Sequence, residues 1–199
     1  VNNYNTNYIE DTTDIVENQW YHIAVTWNNT TGAKMYVNNG TPITGLAGLT
    51  LGNLSTNIEI GGTSNVSQYT PKGQINEVSI FDYALTPSQV TTLYGTGSAI
   101  GNPMALPSSP IAYYPLGTSA YNGEYLAENN AIGDYVFNFT GNKTVGLQDL
   151  NLGFNSTISY WVKNTSNTGN YMTNNGGTLI NTGPYAGNEY YTFKPNNSA

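Results

Sequence analysis

Side chains that could do chemistry are sparse, because the chain of 199 residues has only 12 acidic residues and one histidine. Glycoside cleavage by a retaining enzyme needs two carboxyl groups about 5 Å apart. Acids come close together in IEDTTD, residues 9–14, and in AENNAIGD, residues 127–134, but turn-forming residues surround both groups and predict solvated loops. His22 lies beside Trp20 on a predicted strand, and a lone histidine cannot build a Ser/His/Asp site. We therefore expect a structural histidine and a protein that is not an enzyme.

Composition excludes several classes of partner. Only 9% of residues are charged and the net charge is −7, so no basic surface is available for nucleic acid or for an anionic membrane. No apolar run approaches the roughly 18 residues of a membrane span. The absence of Cys excludes a disulfide framework and thiolate chemistry. The surface instead draws its polarity from Asn, Thr, Ser and Gly, with 17 Tyr in the chain, which suits an extracellular protein.

Alternation with a period of two predicts strands along most of the chain. In WYHIAVTW, residues 20–27, one face carries Tyr21, Ile23, Val25 and Trp27. The strand GAKMYV follows and ends in Asn-Asn-Gly, which supplies the positive φ of a hairpin turn. Further strands are predicted over 58–61, 74–81, 111–116, 135–140, 157–162, 178–181 and 190–193. The predicted core residues are Trp20, Ile23, Val25, Val37, Ile60, Val78, Ile80, Trp161 and Val162.

One helix is predicted, near residues 87–94. Thr86 can cap it, Pro87 suits the first helical position, and Gln89 can complete a capping box. Gly95 can take the left-handed position at the C-terminal end of the helix. After it, GTGSAIGNPMALPSSP has no periodicity and many Gly and Pro residues, which indicates a linker or a long surface connection.

These patterns together resemble a known family. The order WYHIAVTW, GAKMYVNNG, IEIGG and GQINEVSIFDYALTPSQVTTLY resembles the second half of a laminin G-like domain, of the concanavalin A-like lectin and glucanase superfamily. IAYYPLG, YVFNFTG, STISYWVKN and GTLIN resemble the first half of such a domain. The resemblance implies an all-β fold, an antiparallel β-sandwich or jelly roll, with the short helix near 87–94.

The two halves stand in exchanged order along the chain. Residues 1–97 correspond to the C-terminal half, 98–110 to a linker, and 111–199 to the N-terminal half. Three explanations remain open: parts of two domains from a tandem array, one circularly permuted sandwich, or half-domains that complete those of neighbouring subunits head to tail.

The resemblance also implies what to look for as a site. Hydrolases of the superfamily carry Glu-x-Asp-x-x-Glu or a similar pair of acids, and the chain has no such run. Several laminin G-like domains hold calcium with loop carboxylates, which makes calcium possible here. Weak candidates for its ligands are Asp11, Asp14 and Asp82, and Asp134 and Asp149 are further carboxylates to consider.

Binding is the expected activity, through loops such as 4–18, 62–72 and 164–176, which concentrate Tyr, Asn, Thr and Gly. The candidate ligand-binding residues are Tyr4, Tyr8, Tyr69, Tyr121, Tyr171 and Tyr185. Low charge and the absence of Cys resemble phage structural proteins, so the sequence predicts a module on a virion or extracellular surface that binds glycans or partner proteins. Other structural subunits are possible partners, and we expect a homo-oligomer or part of a larger assembly. The alternatives are a purely structural filament subunit and a glycoside hydrolase of the superfamily.

Overall fold

Strands dominate the secondary structure. The computed structural model describes residues 9–11, 16, 18–47, 57–60, 72–96, 100–115, 137–140, 145–148, 155–164, 180–181 and 193–195. The strands within these ranges are β1 (Ile9–Asp11), β2 (Trp20–Asn28), β3 (Gly32–Val37), β4 (Ile43–Gly45), β5 (Asn57–Ile60), β6 (Lys72–Phe81), β7 (Ala112–Tyr114), β8 (Phe137–Thr140), β9 (Val145–Gln148), β10 (Asn155–Asn164), β11 (Ile180–Asn181) and β12 (Phe193–Pro195). The helices are α1 (Pro87–Tyr94) and a 3-10 turn at Pro103–Ala105.

The main sheet is antiparallel and has the strand order β4-β3-β2-β10-β6-β7, with β8 also paired to β6. Its centre is β10, which pairs with β2 on one side and with β6 on the other. Two smaller sheets have the order β11-β5-β9, which is antiparallel, and β1-β12, which is parallel. Each of the three sheets therefore combines strands from residues 1–97 with strands from residues 111–199.

The main sheet has two buried faces. We call one the core face; it carries a cluster made of Ile9, Tyr21, Ile23, Val25, Trp27, Ala33, Met35, Ile75, Val78, Ile80, Ile158, Tyr160 and Val162. We call the other the helix face; its apolar cluster comprises Ala24, Tyr36, Phe81, Leu85, Val90, Leu93 and Leu106. Because α1 covers the second face, every β2 side chain from Tyr21 to Trp27 is buried, although the strand alternates as predicted.

Small side chains make room for α1 on the helix face. One row across five strands runs Tyr36, Ala24, Ser159, Ser79 and Tyr113, from β3 to β7. Its three middle members are small, which allows a helix to lie close to the sheet. The helix contributes Val90 and Leu93 to the buried cluster.

The ends of α1 follow from local sequence. Gln89 N donates to Thr86 Oγ1 at 3.3 Å and Thr86 N donates to Gln89 Oε1 at 2.8 Å, so the predicted capping box is confirmed. Two otherwise unpaired amides of the first turn are thereby satisfied. Gly95 has φ 75° and ψ −144°, and its amide donates to Thr91 O at 3.1 Å. The φ is positive as expected, but the ψ lies outside the predicted left-handed region, in the extended region that glycine alone enters readily.

The segment after the helix is packed against it. We call residues 100–111 the connecting segment. Gly101 N donates to Leu93 O, Leu106 is buried in the helix-face cluster, and Ser108 O accepts a bond of 2.6 Å from the Tyr83 hydroxyl. Ile111 N then donates to Ile80 O at 2.8 Å, immediately before β7. A long surface connection describes this segment better than a free linker does.

The antiparallel all-β prediction with one short helix is confirmed, with differences in detail. Trp20 and Val37 were expected in the core but are half-buried, because Trp20 lies at the end of the sheet and Val37 beside the hairpin turn. The other predicted core residues are buried, except that the side chain of Ile60 lies outside the described residues. The predicted loop 4–18 is wrong at Ile9–Asp11, which is strand β1. Strand β9 was not predicted, and β12 begins only where the predicted strand 190–193 ends.

Candidate functional site

All six predicted ligand-binding residues lie in parts of the chain outside the described residues. This holds for Tyr4, Tyr8, Tyr69, Tyr121, Tyr171 and Tyr185, and for Asp14, Asp134 and Asp149. Asp11 is placed by its backbone in β1, where Pro195 of β12 is its partner. The strands into which the predicted binding loops lead are described, and they locate where those loops join the fold.

Three predicted loops join the main sheet at the same end. The part of predicted loop 4–18 that follows β1 leads into the start of β2, loop 62–72 leads into the start of β6, and loop 164–176 follows β10. Because β10 is antiparallel to both neighbours, Lys163 near its end pairs with Trp20 on one side and with Gln74 on the other. The bases of the three loops are therefore side by side. We call this row of Trp20, Lys163 and Gln74 the loop-end row.

The loop-end row combines an aromatic ring, a cation and an amide. Lys163 Nζ lies over the Trp20 ring, 5.2 Å from its centroid, a geometry in which the ring face attracts the ammonium. All three side chains are half-buried. Lys163 has no carboxylate partner among the described residues. Sequence reasoning placed Trp20 in the core and overlooked Lys163 and Gln74, since only strand register brings these residues together.

The adjacent row is closed by the end of α1. It consists of His22, Trp161 and Asn76, on β2, β10 and β6. Tyr94, the last residue of α1, stacks on Trp161 with ring centroids 5.6 Å apart and also contacts the His22 ring at 5.8 Å. The helix therefore ends over this row, and the loop-end row lies one step beyond it.

His22 and Ser159 have the atoms of a base and a nucleophile, but both side chains are closed off from solvent. His22 Nε2 lies 2.8 Å from Ser159 Oγ, and the two residues are 1% and 2% exposed. Burial lowers the pKa of His22 to about 3, which makes the imidazole a very weak base. His22 Nδ1 has no hydrogen-bond partner, so no acid orients the ring. This arrangement supports the expected structural role of His22.

An unusual carboxyl lies further along β6. Glu77 has φ 54°, a left-handed conformation that costs a residue with a Cβ about 1–2 kcal/mol. The register of β6 against β10 changes there, since Ser159 pairs with Ser79 but Trp161 pairs with Asn76. This is a β-bulge, which leaves Glu77 as an extra residue and redirects its side chain. Tyr113 of β7 donates a hydrogen bond to the Glu77 carboxyl. Burial raises the pKa of Glu77 to about 7, and the bond from Tyr113 offsets part of that effect.

Neither a metal-ligand cluster nor a membrane-spanning helix is present among the described residues. They contain no group of three or more His, Asp or Glu side chains that could hold a metal ion. Asp82 is exposed, directly after β6 and at the end of that strand opposite Gln74. Within the same part of the chain, no helix has the length and apolar character needed to cross a membrane.

Comparison with known proteins gives one family match, in the first part of the chain. Residues 1–91 match a laminin G family model, Laminin_G_3, described as the concanavalin A-like lectin/glucanases superfamily. The match covers 91 of 199 residues and ends within α1, before β7 and β10. No curated protein and no solved structure matches the chain. The family match agrees with the antiparallel sheet and its short helix in pointing to a concanavalin A-like β-sandwich.

Proposed function

We propose that the protein is a non-catalytic binding module whose ligand contacts the loop-end row and the three loops beside it. The observation that carries the proposal is the pairing of Lys163 with both Trp20 and Gln74, because it brings the start of β2, the start of β6 and the end of β10 to one end of the sheet. Proteins of the superfamily often bind carbohydrates or proteins, and we assign a glycan as the ligand.

The side chains of the row suit a saccharide. An indole ring offers a flat apolar surface to the C–H face of a sugar, while an ammonium and an amide donate hydrogen bonds to hydroxyl or carboxylate oxygens. The predicted loops add Tyr, Asn and Thr, which are neutral donors and acceptors with a low cost of desolvation. Such sites bind weakly one at a time.

Absence of catalysis is part of the proposal. Ser159 is closed off beneath the end of α1, and the partner of the Glu77 carboxyl is a phenol rather than a second carboxyl. A glycosidase needs two carboxyl groups across the scissile bond. Glu77 alone provides one of the two.

We place the module on a virion or another extracellular surface, in a homo-oligomer or larger assembly. Low charge, many Asn and Thr residues and no Cys support this location. Repetition of a weak site along a fibre or shell raises the effective affinity without any new contact.

The test is a binding screen of the full chain against neutral and acidic surface polysaccharides, with a parallel assay for released reducing sugar. Trp20→Ala should weaken binding about tenfold or more, which corresponds to about 1.4 kcal/mol. Lys163→Met, which keeps the aliphatic stem, should weaken binding of acidic glycans most. Lys34→Met is the matched control, because Lys34 is a half-buried lysine on β3 toward the opposite end of the sheet.

Each outcome has a clear meaning. Hydrolysis would contradict the absence of catalysis. Binding that neither Trp20→Ala nor Lys163→Met weakens would contradict the position of the site. A blank screen together with self-assembly would favour a purely structural subunit.

We also propose that one chain closes as a single permuted sandwich. Support comes from the packed connecting segment and from the mixture of strands from both segments in each described sheet. A folded monomer should then persist at high dilution in sedimentation experiments. Loss of folding on dilution would instead favour head-to-tail completion between subunits, in which stability depends on protein concentration.

A further inference from the structure

The turn after β3 contains a chemically reactive pair of residues, Asn39 and Gly40. In an Asn-Gly pair the glycine nitrogen can attack the amide of the preceding side chain, because glycine has no Cβ to obstruct the approach. Asn39 is half-buried and Gly40 is exposed, so water and hydroxide reach the pair. Two more Asn-Gly pairs, at residues 122–123 and 175–176, lie outside the described residues.

The backbone of this turn is fixed on the side of the sheet. Gly40 N donates to Val37 O at 2.9 Å, which closes the turn. Asn38 N donates to His22 O at 2.9 Å, and Asn38 Oδ1 accepts from His22 N at 2.9 Å. The glycine nitrogen, which is the nucleophile of the reaction, is thereby held in a hydrogen bond. It can approach the Asn39 side chain only when the turn opens.

The side chain of Asn39 is fixed on the side of the helix. Thr91 Oγ1, in the last turn of α1, donates to Asn39 Oδ1 at 2.9 Å and also lies 3.1 Å from Pro87 O. A hydroxyl and an amide can each donate or accept, so the contact with Asn39 is a hydrogen bond whichever group donates. This bond joins residues 52 positions apart and keeps the Asn39 amide against the helix.

Thr92 provides a comparison within the same helix. Thr91 and Thr92 are both exposed, and each hydroxyl lies 3.1 Å from the carbonyl oxygen four residues earlier, Pro87 O and Ser88 O respectively. Of the two hydroxyls, the one on Thr91 also reaches the turn. The contact with Asn39 is therefore the main difference between two otherwise similar threonines.

We propose that Asn39 is a site of spontaneous deamidation, that the fold slows the reaction through Thr91 and the Gly40 hydrogen bond, and that the reaction weakens the attachment of the turn to α1. Gly40 N loses its proton and bonds to Asn39 Cγ, while the Cγ–Nδ2 bond breaks and ammonia leaves with that proton. Solvent water then opens the cyclic imide at either carbonyl, which gives aspartate or isoaspartate. Water is the only other reactant.

Both products disturb the contact between the turn and the helix. A carboxylate at position 39 places a negative charge beside the last turn of α1, where the helix dipole is also negative. Isoaspartate in addition lengthens the main chain by one carbon, in a turn whose length sets the register of the strands. The modified protein should therefore be less stable than the parent.

Peptide mass spectrometry of the full chain tests the proposal, because it measures the reaction at each Asn-Gly pair separately. The chain is incubated in one mildly alkaline buffer, folded or unfolded by guanidinium chloride. Since the folded turn must open before it reacts, we expect the rate at Asn39 to be lower by about tenfold or more in the folded chain. Equal rates in the two states, or no reaction at Asn39 even in the unfolded chain, would overturn the proposal.

Variants of α1 isolate the contribution of the hydrogen bond. Thr91→Ala should raise the folded-state rate at Asn39 about two- to tenfold, as expected for the loss of one hydrogen bond. Alanine favours the helix, so a faster reaction would not be due to a weaker helix. Thr92→Ala and Thr91→Ser, which keeps the hydroxyl, should react like the wild type. An unchanged rate in Thr91→Ala would overturn the role of Thr91, and a slower one would mean that the hydroxyl assists the reaction.

The consequence for stability has its own measurement. Asn39→Asp introduces the carboxylate product directly and should lower the melting temperature. Asn29→Asp is the matched control, because it adds the same charge at an exposed position in the turn between β2 and β3. Equal melting temperatures for the two variants would contradict a specific effect on the attachment of the turn to α1.

Discussion

His22 on β2 and Ser159 on β10 share a hydrogen bond of 2.8 Å between Nε2 and Oγ, although 137 positions separate them in the sequence. The bond lies between α1 and the main sheet and joins the central strand to a neighbour from the first part of the chain. Both side chains are buried. His22 therefore helps to hold β2 against β10.

The buried imidazole makes the fold sensitive to acid. The folded pKa of His22, about 3, is below the unfolded value of 6.5, so its contribution to stability is present above pH 6.5 and is lost as pH falls towards 3. The free energy of unfolding should fall by about 1.4 kcal/mol per pH unit in this window from His22 alone. His22→Gln should flatten this part of the profile while costing about 1–3 kcal/mol near neutral pH. Urea titrations across the window measure both effects, and an unchanged slope in the variant would contradict the assignment.

Trp161 of β10 packs against Tyr94, the last residue of α1. Its ring is 5% exposed, stacks on Tyr94 and lies 5.2 Å from the His22 ring. Trp161→Ala should lower the free energy of unfolding by about 3–5 kcal/mol, because it leaves a cavity under the helix. Trp161→Phe should cost less, since it retains an aromatic ring and removes an indole N–H that has no partner. Trp20→Ala is the control on the same sheet face; a loss there as large as for Trp161→Ala would mean that burial does not set the cost.

The capping box predicts a measurable local effect at Thr86. Thr86→Ala removes the oxygen that accepts from Gln89 N and should cost about 0.5–2 kcal/mol. Thr86→Ser keeps a hydroxyl and should be close to the wild type. Ser88→Ala, at an exposed position of the same helix, controls for loss of a hydroxyl as such. Thermal unfolding of the three variants decides the matter, and equal melting temperatures for Thr86→Ala and Thr86→Ser would show that the cap has no energetic role.

Local features of this fold were predictable from sequence. The hairpin turn after β3 needs positive φ, and Asn38 and Asn39 have φ values of 48° and 57°. Asn38 Oδ1 also accepts from His22 N at 2.9 Å, which fixes the turn to β2. The start of α1 was predictable from Thr86, Pro87 and Gln89. In the turn and in the helix cap alike, the groups that interact are only a few residues apart in the sequence.

Features that depend on distant pairing were not predictable. Period-two alternation identifies β10 as a strand but does not show that β10 lies between β2 and β6. The alternation therefore does not predict that Trp20, Lys163 and Gln74 are neighbours. The bulge at Glu77 arises from the register of β6 against β10. The local sequence around residue 77 does not require a left-handed backbone. The parallel pairing of β1 with β12 likewise joins residues from opposite ends of the chain.

Gly101 gives the sharpest test of how firmly the connecting segment is packed. A Cβ at this position would overlap the carbonyl oxygen of Thr92 and approach Leu93 Cα to 2.8 Å, so backbone atoms rather than a movable side chain stand in the way. Gly101→Ala must displace the segment from the end of α1 or strain the helix, at a cost of about 1–3 kcal/mol or more. The control is Gly45→Ala, whose Cβ would meet the Ile9 side chain at an ordinary 3.4 Å. We expect the control to be near neutral, because a compatible alanine also restricts the unfolded chain. Hydrogen exchange should show that Gly101→Ala loosens residues 100–111 more than β2. Undisturbed protection of that segment would mean that it is not anchored at Gly101, and the proposal of a single closed sandwich would lose the contact on which it most depends.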